Sequence, residues 1–97
     1  MTHKDALAAL ERCRERIDDV DRRILALLNE RTHTVEEIGR IKKSAHMPIY
    51  EPKREDQVYR NIVENNCGPL SGDAVKRVFE RIIDEMRKVQ REHMERD

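Results

Sequence analysis

Apolar residues recur along the first part of the chain at alternating spacings of three and four residues. The positions form two heptad series, Leu10, Ile17, Ile24, Arg31, Ile38 and Cys13, Val20, Leu27, Thr34, Ile41. Side chains spaced in this way lie along one stripe of an α-helix, as in a coiled coil or a helical bundle. The pattern predicts one very long helix from about Lys4 to about Ser44.

Two clusters of helix-breaking residues, at 47–52 and 65–73, divide the rest of the chain. Proline removes a backbone donor and disfavours helix in the residue before it, but it suits a first helical position. We therefore expect a short second helix that begins at Pro52. A third helix of medium length should begin near Ser71 or Asp73, since either side chain can cap it.

The length of the first helix indicates that two copies of the chain assemble. A helix of about 40 residues is ~60 Å long, whereas a compact chain of this size has a radius of gyration of only ~12 Å. The apolar stripe would extend well beyond the two shorter helices, and large exposed stripes are unusual on monomers. We expect an all-α fold with three helices per subunit and one domain over residues 1–97, in an intertwined homodimeric bundle with two equivalent sites.

The composition argues against nucleic-acid-binding, membrane-spanning and secreted proteins. Charged residues make up 41% of the chain, and the 20 basic residues balance the 20 acidic ones, which argues against a nucleic-acid partner. No apolar run approaches the ~18 residues of a membrane span, and the N-terminus has no signal-peptide pattern. Cys13 and Cys67 lack metal-ligand spacing and do not form a secreted disulfide framework, so we expect a cytoplasmic protein.

Polar residues at apolar positions of the long helix are candidate ligand-binding groups. Arg31 occupies a seam position, where a buried guanidinium is unfavourable unless it is paired, and a ligand carboxylate is one candidate partner. Lys42 shares its helix face and could converge with it on one small anion. Arg14 is ~25 Å from Arg31 along the helix, so only a partner chain could bring it to the same ligand. The alternatives to ligand binding are structural. Arg31 could set the register of the seam or extend its charged end to the surface, and Lys42 and Arg14 could be solvated surface residues.

Three further polar residues are candidates for the same ligand site. Gln90 lies near the inner face of the third helix, where a buried amide needs partners, although a frayed C-terminal turn is an equal alternative. Glu55 lies in the first turn of the second helix, where its negative charge interacts favourably with the helix dipole, so a structural role is sufficient to explain it. Arg54 beside it carries a positive charge, which is unfavourable in this turn. The chain shows no nucleophile–base pair, metal spacing or phosphate loop. The pattern is that of cations, an amide and a carboxylate around a small dianion.

Five segments of the chain, in this order, resemble the all-α class of chorismate mutase. They are residues 17–21, 27–31, 38–42, 48–55 and 78–90. The resemblance covers about Leu10 to Gln90. It implies an intertwined homodimer with shared active sites, and the cofactor-free rearrangement of chorismate to prephenate in aromatic amino acid biosynthesis.

The resemblance also implies roles for individual residues. Arg31 would bind one substrate carboxylate, and Arg14 of the other subunit would bind the second. Lys42 would bind a carboxylate and the ether oxygen of the breaking bond, and Gln90 would donate to that oxygen. Glu55 would hold the ring hydroxyl.

The remaining implied contacts surround these groups. Arg54 and the backbone near Glu51 would lie close to the ligand, and the apolar walls would be Val35, Ile38 and Ile83. Glu51 stands where the family often has Asp. Met86 stands where some members have a Ser that helps to bind a carboxylate, so that contact stays open here.

Two other functions fit parts of the pattern. Isochorismate pyruvate lyase uses a similar scaffold and resembles the chain at Arg14, Arg31, Lys42 and Gln90, whereas Glu55 favours the mutase. A non-catalytic helical dimer, serving as a regulatory module, would explain the apolar seam. It would give no reason for a seam arginine or an inner-face glutamine.

Overall fold

The computed structural model describes residues 1–95 and contains three helices in this range. Helix α1 spans His3–Ala45, α2 spans Pro52–Glu64 and α3 spans Gly72–Glu95. The predicted all-α class, with one very long, one short and one medium helix, is confirmed. Contacts between residues divide the chain into two units, Met1–His33 and a second that begins at Thr34. Over the described range, no helix is both long enough and apolar enough to cross a membrane.

The N-terminus of α1 is held by a reciprocal capping box between Thr2 and Asp5. The Thr2 backbone N–H donates to Asp5 Oδ2 and the Asp5 N–H donates to Thr2 Oγ1, each at 3.1 Å. These bonds satisfy two backbone donors that the helix itself leaves unpaired. The Thr2 backbone N–H and then its side chain hold the pKa of Asp5 below its usual value.

The first unit carries the apolar stripe that the heptad pattern predicts, and this stripe is exposed. None of residues 1–33 is buried. Its large apolar side chains are between 41% and 63% exposed at Leu10, Ile17, Val20, Ile24 and Leu27. The single chain therefore presents an exposed apolar stripe along this part of α1.

The second unit has a small core built from the C-terminal part of α1 and from α3. Val35, Gly39 and Lys42 are the buried residues of α1, and their spacing of four and three puts them on one helix face. The buried residues of α3 are Val75, Ile83 and Met86. A lysine among so few buried residues is the unusual member of this core, because burial of an ammonium is costly without partners.

Helix α1 ends in a Schellman motif that turns the chain back toward its own last turn. The Met47 N–H donates to the Lys42 carbonyl at 2.8 Å, and the His46 N–H donates to the Lys43 carbonyl at 3.3 Å. His46 has a φ of 56°, the left-handed conformation that this motif requires. The reversal begins the segment 47–51, which leads into α2.

The two shorter helices begin where the sequence predicts. Pro52 is the first residue of α2, which has no side-chain cap. Ser71 caps α3, because its Oγ accepts from the Ala74 N–H at 3.0 Å. Helix α3 continues to Glu95, since no proline or glycine interrupts it after Gly72.

Candidate active site

The Lys42 ammonium group lies at the centre of a cage of oxygen atoms. Its side chain is 7% exposed, and Nζ lies 2.7 Å from Glu51 Oε1. Nζ also donates to the Ile49 carbonyl and to Gln90 Oε1, each at 2.9 Å. Three partners match the three protons of an ammonium group, so the buried charge is fully compensated.

A glycine on α1 lets α3 approach closely enough to complete this cage. A Cβ atom at Gly39 would lie 3.6 Å from the Gln90 Cα and carbonyl oxygen and from His93 Cβ. Gly39 is one helical turn before Lys42, so the same approach brings Gln90 to the ammonium group. One turn before Gly39, Glu36 contacts His93 Nε2 and links the two helices again. The Gly39 position therefore lies at a close approach of α1 and α3.

The contact with Lys42 fixes the orientation of the Gln90 amide. An ammonium group has only donors, so the atom facing it must be the amide oxygen. The NH₂ group of Gln90 is then left to donate to a different acceptor. Lys42 and Gln90 thus form a pair that can present hydrogen-bond donors to one ligand atom.

Glu51 contributes its side chain to this cage, a contact that sequence reasoning did not include. The resemblance placed only the backbone near this residue in the site. Its carboxylate is 44% exposed while it pairs with the buried Lys42. Water can solvate this carboxylate if it leaves Lys42, so a ligand anion can replace it at modest cost.

A second charged cluster lies between α2 and α3. Arg87 Nε is 2.9 Å from Glu55 Oε2, and Arg87 Nη2 donates to Glu55 Oε1 at 3.2 Å. The Nε–H is not aligned for a hydrogen bond, so this shorter contact is an ion pair. Arg87 also pairs with Asp84 at 3.0 Å and lies over the Tyr50 ring, 5.7 Å from its centroid.

The amino-acid sequence matches a known protein family. The sequence model of the family described as chorismate mutase type II matches residues 13–91. The chain belongs to the type II chorismate mutase family. This match confirms the resemblance that the five sequence segments indicate.

Similar proteins include a much longer relative and one of about the same length as this chain. A bifunctional chorismate mutase/prephenate dehydratase of Stutzerimonas stutzeri is 39% identical over 88 residues, which are 86% of this chain and 23% of that protein. The chorismate mutase of Methanocaldococcus jannaschii is 29% identical over 89% of this chain and 88% of its own length. The chain thus spans less than a quarter of the first relative and most of the second.

Solved structures of chorismate mutases share the fold. Form II of the Thermus thermophilus enzyme has a TM-score of 0.83 and 31% identity, covering 86% of this chain and 94% of that one. The Helicobacter pylori chorismate mutase in complex with prephenate has a TM-score of 0.86 and 27% identity, covering 93% and 98%. The three-helix architecture is therefore that of the mutase family.

The structure places the other predicted site residues as follows. Val35, Ile83 and Met86 are buried in the second unit, whereas Ile38 is 38% exposed. Arg54 is exposed and donates to Gln57 Oε1 at 2.9 Å. In the first unit, Arg14 is exposed and Arg31 is half-buried.

Arg87 is the residue of this second cluster that sequence reasoning missed. It follows Ile83 by four residues, so its place beside the inner stripe of α3 was a signal that could have identified it. The charged groups of this cluster also act on a neighbouring tyrosine. Burial raises the pKa of the nearby Tyr59, and Glu80, Glu55 and Asp84 act in the same direction, while Arg87 opposes them.

Metal ligands are not grouped in this part of the molecule. Over residues 1–95, no three His, Cys, Asp or Glu side chains lie together in a way that could hold a metal ion. The polar groups that the second unit brings together are an ammonium, a guanidinium, an amide and carboxylates. Their chemistry suits an organic anion with hydroxyl and ether oxygens.

Proposed function

We propose that this protein is a chorismate mutase that converts chorismate to prephenate in aromatic amino acid biosynthesis. The observation that carries the proposal is the buried Lys42 ammonium group paired with the Gln90 amide. Membership of the type II family supports it. The structural similarity to the Helicobacter pylori enzyme in complex with prephenate supports it further.

The reaction requires no covalent intermediate between substrate and protein. In this rearrangement a carbon–oxygen bond breaks while a carbon–carbon bond forms within one molecule, and no proton is transferred. The site holds the compact conformer and stabilises negative charge on the ether oxygen. A rate enhancement of ~10⁶ needs ~8 kcal/mol, and charge-assisted hydrogen bonds contribute ~1.5–3 kcal/mol each. Two such bonds supply about half of this transition-state stabilisation, so holding the substrate in its compact conformer supplies most of the remainder.

Lys42 and Gln90 are the proposed donors to the ether oxygen. Lys42 is already desolvated and Gln90 is already oriented, so neither group reorganises much when charge develops. On binding, the substrate replaces Glu51 at Lys42, because the half-exposed Glu51 side chain can return to water, and the N–H that Glu51 releases is shared between a substrate carboxylate oxygen and the ether oxygen. The Ile49 carbonyl and the Gln90 oxygen keep the ammonium group in place during this exchange.

Arg31 and Arg14 are the proposed partners of the substrate carboxylates, with Arg14 supplied by a second subunit. The exposed apolar stripe of the first unit supports a homodimer, since a surface of this length needs a partner. A second copy of the chain presents the same stripe, and a two-fold axis would create two equivalent sites. Each site then holds two carboxylates with cations from both chains.

Other residues complete the proposed pocket. Glu55 accepts the ring hydroxyl, with Arg54 nearby, and the apolar walls are Val35, Ile38 and Ile83. Met86 is buried in the core, so it offers packing in place of the carboxylate contact that a serine gives in some members. We propose that residues 1–97 work as one catalytic domain in the cytoplasm, where the free thiols of Cys13 and Cys67 stay reduced.

A spectrophotometric assay tests the proposal directly. The purified protein should consume chorismate and yield prephenate, identified by chromatography. Lys42→Ala should lose most of this turnover, because one preorganised donor contributes a factor of about 10²–10³ in kcat. A parallel assay with isochorismate, scored for pyruvate release, tests the lyase alternative. Absence of prephenate with the wild-type protein would refute the proposed function.

A further inference from the structure

We propose that Arg87 is a positioning residue for Glu55, and that it thereby sets the preference of the site for a substrate with a ring hydroxyl. This inference rests on the proposed function, because it concerns the same pocket. The pair joins α2 to α3, across 32 residues of sequence. Glu55 is 18% exposed and Arg87 is 34% exposed, so both charged groups have lost much of their water.

The guanidinium group fixes both oxygens of the Glu55 carboxylate. Nε and Nη2 approach Oε2 and Oε1 at 2.9 and 3.2 Å, so rotation of the carboxylate about its last bond would break a contact. A carboxylate has about four lone-pair sites, and the Nη2 hydrogen bond uses one of them, while Nε contributes a close ion-pair contact. Each oxygen can still accept one more hydrogen bond, and a ring hydroxyl is a suitable donor. Arg87 therefore holds the acceptor in one orientation and leaves it able to bind.

Arg87 is itself held from two other directions. Asp84 lies 3.0 Å from Nη2, one helical turn earlier on α3. The Tyr50 ring lies against the guanidinium group, with its centroid 5.7 Å away. A planar guanidinium group can stack on a ring and bind a carboxylate at the same time, which a lysine ammonium cannot reproduce. Tyr50 precedes Glu51, so this stacking also ties the Arg87 cluster to the segment that completes the Lys42 cage.

The expected kinetic effect is specific to substrate binding. A fixed hydroxyl acceptor contacts the ground state and the transition state alike, so its loss raises KM and leaves kcat nearly unchanged. A variant that only misfolds has fewer active molecules, which lowers kcat and leaves KM unchanged. The ratio of the two constants therefore separates a positioning role from a purely structural one.

The test compares three single variants with the wild type. Arg87→Met keeps the long apolar stem and removes the fork, and its KM for chorismate should rise about tenfold at nearly constant kcat. Arg87→Lys keeps the charge without the fork, and its KM should rise about threefold. Arg81→Met is the matched control, because Arg81 lies on the same helix, is 73% exposed and pairs with Glu85 at 2.8 Å on the surface of α3. Its kinetic constants should equal those of the wild type.

Two further measurements assign the effect to Glu55 and to the hydroxyl. The losses from Glu55→Gln and Arg87→Met should not add in the double variant, because both act through one contact. A stable dianionic inhibitor that carries the ring hydroxyl should bind about tenfold more weakly to Arg87→Met, whereas an analogue without the hydroxyl should bind equally to both proteins.

The outcomes separate this inference from the proposed function. Wild-type turnover with additive losses, or with equal weakening of both inhibitors, overturns the role of Arg87 and leaves the mutase function standing. An absence of wild-type turnover overturns both. If Arg87→Met does not fold, Arg87→Lys decides, and an unchanged KM in that variant overturns the inference.

Discussion

At the scale of single residues, the candidate site depends on how a buried charge is compensated. Lys42 finds three oxygen partners from three places in the sequence, at Ile49, Glu51 and Gln90. Two of these partners have fixed positions, while Glu51 remains half-exposed. The site is therefore preorganised toward a ligand oxygen and retains one exchangeable anion.

Gln90 offers a test of the donor role at the ether oxygen. The wild-type amide donates at every ordinary pH, whereas the carboxyl group in Gln90→Glu donates only when it is protonated. The neighbouring Lys42 ammonium group favours the ionised carboxylate, so the pKa of the introduced carboxyl group should be low. The activity of Gln90→Glu should therefore fall as pH rises, which a kcat/KM profile between about pH 4 and 8 would show.

The control for this experiment is Gln90→Ala, which has no titrating group and should be impaired at every pH. A profile of Gln90→Glu parallel to that of the wild type would remove Gln90 from the ether-oxygen role.

At the scale of helices, Gly39 determines how closely α1 and α3 approach. Glycine in a helix interior costs ~1 kcal/mol relative to alanine. A Cβ atom at Gly39 would lie 3.6 Å from the Gln90 backbone and from His93, which is an ordinary contact distance, so the position admits a methyl group and we expect a larger side chain to push α3 away. A small residue here keeps Gln90 within reach of Lys42.

Gly39→Ala should be tolerated and should stabilise the protein by about 0.5–1 kcal/mol, because its Cβ would make contacts of ordinary length and the helix gains propensity. Gly39→Val adds methyl groups that have no room, so it should cost about 1–3 kcal/mol and also reduce kcat. Urea denaturation at one fixed protein concentration, together with the chorismate assay, measures both effects. A Gly39→Val variant with full activity would contradict the steric role.

At the scale of the whole molecule, the exposed stripe of the first unit supports the proposed homodimer. Its apolar side chains repeat at heptad spacing and remain exposed in the single chain. Buried apolar area is the main stabilising term in association, so this surface favours a second helix of the same pattern. The proposed active site depends on this assembly for Arg14.

Mixed dimers test whether the site is shared. Arg14→Ala and Lys42→Ala should each be inactive as homodimers. In a refolded equimolar mixture, half of the dimers are heterodimers, and each of these has one site with both native residues. The mixture should therefore recover about a quarter of wild-type activity. Activity no greater than the mean of the two homodimers would show that Arg14 does not act across subunits.

Much of this protein follows from its sequence. The heptad pattern and the two proline-containing breaks predict the three helices, because helix periodicity and proline geometry are local properties. Lys42 and Gln90 were also identifiable, since each is a polar residue near an apolar stripe. The contacts between them were not predictable by the same argument, because they join positions 48 residues apart.

Only the tertiary structure decides which charged groups meet. The sequence contains 40 Lys, Arg, Asp and Glu residues, and most of their pairings are equally compatible with the helix pattern. The Schellman turn at His46 brings Glu51 to Lys42, and the packing of α2 on α3 brings Arg87 to Glu55. Side-chain pairing depends on distances of a few ångströms, which are set by helix packing and chain reversal rather than by local periodicity.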